Sequence, residues 1–149
     1  METTTIIFDL GGVLIDWNPA YVFDKLIEDE EKRRYFFEKI CTSEWNEEQD
    51  AGRTIKEATQ LLVDQYPEWQ ESIEAYYGRW EEMLGGPIQE TVDIFRQLKE
   101  TGKYKFYALT NWSAELFTHG NTGQPKQHPH CNRDFARNDL QQFCRYSTI

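Results

Sequence analysis

Two short segments carry residue types suited to nucleophilic, metal-binding and anion-binding chemistry. The first is Phe8-Asp9-Leu10-Gly11-Gly12-Val13-Leu14, an acid at the end of an apolar run and just before a glycine pair. The second is Ala108-Leu109-Thr110-Asn111-Trp112, an apolar run that ends in a hydroxyl and an amide. In a parallel α/β sheet, ligands bind beyond the carboxyl ends of the strands. There Asp9 could act as a nucleophile or a metal ligand, and the glycines would let backbone approach a ligand closely. The Thr110 hydroxyl and the Asn111 amide could hold an anionic oxygen. Each segment also has a plainer use, Asp9 in a turn and Thr110-Asn111 as a helix N-cap. Finding both, on either side of a helical block, favours the chemical use.

The elements that must position these residues can be read in outline. Residues 3–8 are β-branched and aromatic and suit a buried parallel strand. Asn18-Pro19 is a turn and a helix start. Residues 20–40 are helical in character, with Tyr21, Val22, Leu26 and Ile27 on one apolar face and Tyr35, Phe36, Phe37 and Ile40 on a second. The charged stretch 28–34 between them reads as a solvated helix junction, and the polar stretch 45–52 as a loop. Thr54-Ile55-Lys56-Glu57 has the form of a capping box, and Ala58, Leu61, Leu62 and Tyr66 continue that helix up to Pro67. A further helix is expected over 68–84, with Trp69, Ile73, Tyr76, Tyr77 and Trp80 as its stripe. These aromatics read as helical core rather than a cofactor box. Gly85-Gly86-Pro87 breaks the pattern, with Pro87 expected in the first turn of the next helix. That helix carries Ile88, Val92, Phe95 and Leu98, and Gly102 is its natural end. Lys105-Phe106-Tyr107-Ala108-Leu109 then reads as a strand. Trp17, near Asp9, suits either a pocket wall or plain packing.

Composition bounds the function. The chain has 149 residues, a formal net charge of -10 and 15% aromatic residues, which is too aromatic for a simply disordered chain. The acidic balance disfavours nucleic acid, whose binders need Lys and Arg to replace counterions, and an anionic membrane surface. No stretch approaches the roughly 20 apolar residues of a spanning helix. No basic region precedes the first apolar run, so a secretory signal is not expected. Three widely spaced cysteines form neither a disulfide framework nor a zinc pattern, and a cytoplasmic location is expected. The charge is uneven. Residues 1–117 hold 24 of the 26 acids and 12 of the 16 Lys and Arg. Residues 118–149 hold the other two acids and four basic residues, all three histidines and two of the three cysteines, with no Glu or Val. Apart from a poor helical stripe over 133–145, this stretch has no sustained periodicity. It reads as an atypical tail, frameshifted or disordered. His119, His128, His130, Cys131 and Cys144 are candidate metal ligands by type, but their spacing fits no zinc finger and a polar tail is the expected reading.

Over residues 3–117 the chain resembles the haloacid dehalogenase-like hydrolase superfamily, in its phosphatase branch with a helical cap. The resemblance rests on Asp9-Leu10-Gly11-Gly12-Val13-Leu14 with Asp16-Trp17-Asn18-Pro19, and on Tyr107-Ala108-Leu109-Thr110-Asn111. It implies an α/β fold: an incomplete Rossmann-type parallel sheet from 1–17 and 87–117, with a helical cap inserted at 18–86. It also implies a Mg²⁺-dependent phosphatase acting on a small phosphorylated metabolite. Asp9 would attack phosphorus to form an aspartyl-phosphate that water hydrolyses. Asp9 and the Gly11 carbonyl would hold Mg²⁺, and Thr110 and Asn111 the phosphoryl oxygens. An oligomeric state is not implied.

The sequence departs from that family in two ways. Typical phosphatases of the family carry an Asp, the general acid, two positions after the nucleophile, and here that position is Gly11. The family's Lys and its second pair of acids are not recognisable after Phe117. Lys126 comes early, and Asp134 and Asp139 follow no apolar strand. The expectation is therefore little or no phosphatase activity from this chain. The alternative is a non-catalytic binding or interaction protein whose acidic helical cap meets a partner.

Overall fold

The computed structural model describes residues 3–113 and 115–116. The expected tail at 118–149, with its histidines, two cysteines and Lys126, lies outside the described residues. In chain order the elements are β1 (Thr5–Asp9), β2 (Ile15–Trp17), α1 (Ala20–Leu26), α2 (Glu30–Tyr35), α3 (Ser43–Asp50), α4 (Ile55–Gln65), α5 (Gln70–Gly78), β3 (Leu84–Pro87), α6 (Gln89–Glu100) and β4 (Lys105–Leu109). Short helical turns at Phe36–Ile40, Pro67–Trp69 and Trp80–Met83 join some of them. The chain is mixed α/β. Its described residues divide into two compact units, one of residues up to Trp17 with Leu84–Thr110, the other of Asn18–Met83 with residues 111–113 and 115–116. Among the described residues no helix is long and apolar enough to cross a membrane.

The α/β unit is built on a parallel pair. β1 and β4 run side by side in register, from Thr5 opposite Lys105 to Asp9 opposite Leu109. Side chains alternate across a strand, so Ile6, Phe8, Phe106 and Ala108 share one face. Against that face lies α6, whose Val92 and Phe95 are buried. The Phe95 ring meets Phe8 and Phe106 edge-on, at 5.7 and 5.3 Å between centroids. The other face is open, with Ile7 63% and Leu109 66% exposed. Parallel sheets are ordinarily covered on both faces, and the apolar run at 3–8 suits such burial. Here only half of that burial is realised, so Thr5, Ile7 and Asp9 face out.

β2 pairs antiparallel with β3, Ile15 opposite Pro87 and Asp16 opposite Gly86. The Gly85-Gly86-Pro87 stretch, expected as a break, is therefore strand, and α6 begins only at Gln89. Local sequence cannot reveal this, because the partner lies about seventy residues earlier. Pro87 sits at the strand end, where a missing N–H does no harm. The helical residues thus leave through one strand of this small sheet and return through the other.

In the helical unit a side chain marks the starts of α1, α2, α3 and α4, while α5 has no side-chain cap. Asn18 Oδ1 accepts from Ala20 N at 3.0 Å, Asp29 Oδ1 from Lys32 N at 2.9 Å and Thr42 Oγ1 from Trp45 N at 3.2 Å. Thr54 and Glu57 form the expected capping box on α4. The polar stretch read as a loop at 45–52 is mostly α3. Its inward residues, Trp45 and Gln49, stand one helical turn apart, and a fully buried Gln gives no hydrophobic signal. The stretch 68–84 is broken into a short turn, α5, a second turn and the start of β3. The core gathers around Phe23, fully buried against Phe36, Phe37 and Tyr76 at 5.0, 5.1 and 6.0 Å between ring centroids. Val22, Ile40, Ile73 and Met83 complete it, all at most 2% exposed.

Truncating an aromatic ring at the centre of such a cluster leaves a cavity as well as losing burial. Phe23→Ala is expected to lower the unfolding free energy by about 3–5 kcal/mol. The half-buried Phe37→Ala should cost clearly less. Urea unfolding followed by circular dichroism checks both.

Candidate functional site

At the carboxyl end of the parallel pair, Asp9 lies opposite Leu109 and Thr110 is the next residue of the neighbouring strand. The pairing runs one residue further, since Leu10 N donates to Leu109 O at 3.2 Å. The chain then turns tightly. Leu14 N and Ile15 N both donate to Leu10 O, at 3.0 and 2.8 Å, and Gly12 N donates to Ile15 O at 2.8 Å. Leu10 and Leu14 are buried at 2% and 0% exposure and pin the two ends of this turn in the core. Gly12 takes φ +71°, a conformation that L side chains seldom adopt. The apolar-acid-glycine pattern thus has a local cause: leucines bury, glycine turns, and the acid is left exposed at the strand end. Asp9, Gly11 and Thr110 all belong to this unit.

Asn111, the fourth candidate, belongs to the helical unit. Its Nδ2 donates to Asp50 Oδ2 at 3.2 Å. Asp50 ends α3, and the corner after it is tightly specified. Gly52, at φ +109°, follows the helix; its N–H returns to Gln49 O and that of Arg53 to Glu48 O, at 3.0 and 2.9 Å. This is the Schellman arrangement that glycine favours at a helix end. The α4 capping box follows at once. Inside the corner, Arg53 Nε donates to Gln49 Oε1 at 2.7 Å and Arg53 Nη2 to Trp45 O at 3.0 Å. Gln49 Nε2 donates to Tyr77 Oη at 3.2 Å, and the Tyr77 hydroxyl to Asn46 Oδ1 at 2.8 Å. Burial pushes the Tyr77 hydroxyl up to about 12, so it remains a proton donor at neutral pH. Burial also raises the Asp50 carboxyl above its ordinary range, and Glu47 adds to this; the backbone N–H of Ser113 pulls it the other way.

Asp50 was not among the residues singled out from the sequence. An Asp two positions before a Gly and four before a capping-box Thr marks a helix-to-helix corner, but its partner Asn111 lies 61 residues on. Trp17 is in β2, and its indole Nε1 is buried with no hydrogen-bond partner among the described residues.

The helical unit also has an open cleft of about 310 Å³, lined by Ile55, Thr59, Glu74, Tyr77, Gly78, Glu115 and Leu116. No Lys or Arg is among its described lining residues. Among the described residues no three His, Cys, Asp or Glu side chains gather to hold a metal. The donors that the resemblance assigns to Mg²⁺ are one exposed carboxylate, Asp9, and one carbonyl, Gly11. Both are hard oxygen donors, and Mg²⁺ is commonly held by one or two carboxylates with water and substrate phosphate completing its shell. The pair fits a weakly held ion. Comparison of the chain with models of protein families, with curated proteins and with solved structures finds no match.

Gly12→Ala places an L residue in the left-handed region, at an expected cost of about 1–2 kcal/mol. A Cβ there would meet nothing within 4 Å, so strain alone is measured; urea unfolding reads it. For Asp50, a carboxyl whose pKa is raised by folding supports the fold below its unfolded value. That support is lost as pH rises through the folded value. The wild type should therefore lose stability relative to Asp50→Asn between about pH 3 and 7. Unfolding of both proteins at the two pH values checks the sign.

Proposed function

We propose that the α/β unit carries the nucleophilic half of a haloacid dehalogenase-like phosphatase site, acting on a small phosphorylated metabolite with Mg²⁺. The observation that supports this best is the parallel register of β1 and β4. It brings Asp9 and Thr110 out of adjacent strands at the same end, the end at which α/β sheets bind ligands. The tight glycine turn after Asp9 adds to it, since it leaves the carboxylate exposed.

In this reading one Asp9 carboxylate oxygen attacks phosphorus, forming an acyl phosphate as the ester P–O bond breaks. Water then attacks the same phosphorus and releases phosphate with the carboxylate restored. Splitting one hard displacement into two easier ones is what a covalent intermediate achieves. The Thr110 hydroxyl, beside Asp9 in the same unit, donates to a phosphoryl oxygen. Mg²⁺, held by Asp9 and the Gly11 carbonyl, would offset the negative charge brought together there. The leaving oxygen needs a proton, and Gly11 has no side chain to provide one. Loss of a general acid typically costs about 10²–10⁴-fold, so turnover by this chain is slow. The competing reading, a non-catalytic interaction protein, is favoured by that same Gly11.

The full chain should be assayed with Mg²⁺ on a panel of small phosphate esters, with covalent phosphate on the protein followed by mass spectrometry. Slow release of phosphate and a labile phosphoryl group on Asp9, both lost in Asp9→Asn, are expected. Neither signal, or signals that persist in Asp9→Asn, would favour the interaction protein. Release at ordinary enzyme rates, lost in Asp9→Asn, would show that another group supplies the proton.

A further inference from the structure

The open cleft of about 310 Å³ lies wholly within the helical unit. Two of its sides are helices. Ile55 and Thr59, one turn apart, line it from α4, and Glu74, Tyr77 and Gly78 line it from one face of α5. Glu115 and Leu116, from the stretch after β4, line it as well. That stretch is fastened to the same unit. Asp50 Oδ2 accepts from Asn111 Nδ2 at 3.2 Å, and the same carboxylate takes the backbone N–H of Ser113. The Trp112 ring meets Trp80 edge-on at 5.0 Å. Glu115 Oε1 accepts from Ile55 N at 3.1 Å, so a bond between two lining residues ties this side of the cleft to the start of α4.

The lining combines apolar surface with negative charge. Ile55, Tyr77 and Leu116 are half-buried, whereas Glu74 and Glu115 are exposed. The Tyr77 hydroxyl is fixed between Gln49 and Asn46, so its ring has a set position. The face of such a ring attracts a cation. The surrounding field has the same sign, since Asn18–Met83 holds 17 acids against 8 Lys and Arg. A surface of one sign raises the local concentration of the opposite ion. Gly78 keeps space at the cleft. It is the last residue of α5, where alanine would be the better helix former, and a Cβ there would meet nothing within 4 Å. An anion would be repelled here. A bare metal ion would use the carboxylates and leave the apolar lining without a partner. Both parts of the lining are used by a positive charge carried on an apolar body.

We propose that this cleft is a binding site for a small organic cation, an ammonium group on an apolar body. Glu74 and Glu115 supply the opposite charge, and the body lies on Ile55, Tyr77 and Leu116. The proposal does not depend on the phosphatase reading, because no residue of the cleft belongs to the α/β unit.

The test is titration of the full chain with benzylamine, followed by NMR, with benzyl alcohol as the neutral analogue of the same size. Benzylamine is expected to bind about tenfold more tightly than the alcohol, the range for a hydrogen bond to a charged group. Added salt should narrow that difference, because exposed charges are screened. Glu74→Gln and Glu115→Gln keep the size and lose the charge. Each should weaken benzylamine several-fold and leave the alcohol unchanged. Gly78→Leu should fill the cleft and abolish binding of both. Circular dichroism checks that this variant folds, and the two Gln variants decide the matter if it does not. No binding of benzylamine, equal affinity for amine and alcohol, or undiminished binding in both Gln variants overturns the proposal. Binding that survives in a folded Gly78→Leu protein places the amine elsewhere on the acidic surface and overturns it as well.

Discussion

The α/β unit depends on the parallel pairing of β1 with β4. Those strands are separated by about a hundred residues, so the contact closes a long loop before it returns any stability. Its register decides which residues end up side by side. A shift by one residue would move Phe8 to the open face and expose what α6 now covers. Asp9 and Leu109 stand opposite each other because Ile6, Phe8 and Phe106 must face Val92 and Phe95. The placement of Asp9 beside Thr110 is a by-product of that hydrophobic choice.

Within the helical unit the corresponding constraint is the corner between α3 and α4. Three local devices meet there: the Gly52 helix end, the Thr54–Glu57 capping box and the buried Gln49–Arg53–Tyr77 network. Together they satisfy backbone groups that a helix end otherwise leaves without partners. A corner specified this closely can hold a carboxylate in an electrostatically unfavourable position. Asp50 occupies it and takes two hydrogen bonds from the residues after β4.

The chemistry of the proposed site is limited by charge. Residues 1–117 carry twice as many acids as basic residues, and an aspartate that attacks an anionic phosphate adds one more negative group. Stabilising such a transition state requires fixed positive charge or directed N–H and O–H donors. In the α/β unit the described residues offer a hydroxyl at Thr110 beside the carboxylate of Asp9. They offer no acid two positions beyond Asp9.

Much of this was legible in the sequence where the causes are local. The capping box at Thr54 and the turn at Asn18 follow from side chains that bond their own neighbours, and the strand that ends at Asp9 shows as a β-branched and aromatic run before a glycine pair, though its partner β4 does not. The α6 stripe of Val92 and Phe95 follows from helical period. Other features needed the tertiary structure, because their causes lie far along the chain. α3 was hidden since its buried members, Trp45 and Gln49, are one aromatic and one amide, and only the network around Gln49 makes its burial tolerable. Gly85-Gly86-Pro87 is a strand because residues 15–17 lie beside it, and glycine has no local preference to announce that. The grip of Asp50 on Asn111 likewise joins residues with no periodic or motif relation. Sequence by itself determined the elements whose hydrogen bonds close within a few residues. The folded chain decided the pairings, the register and the partners of polar side chains, since these depend on which distant surfaces hydrophobic burial brings together.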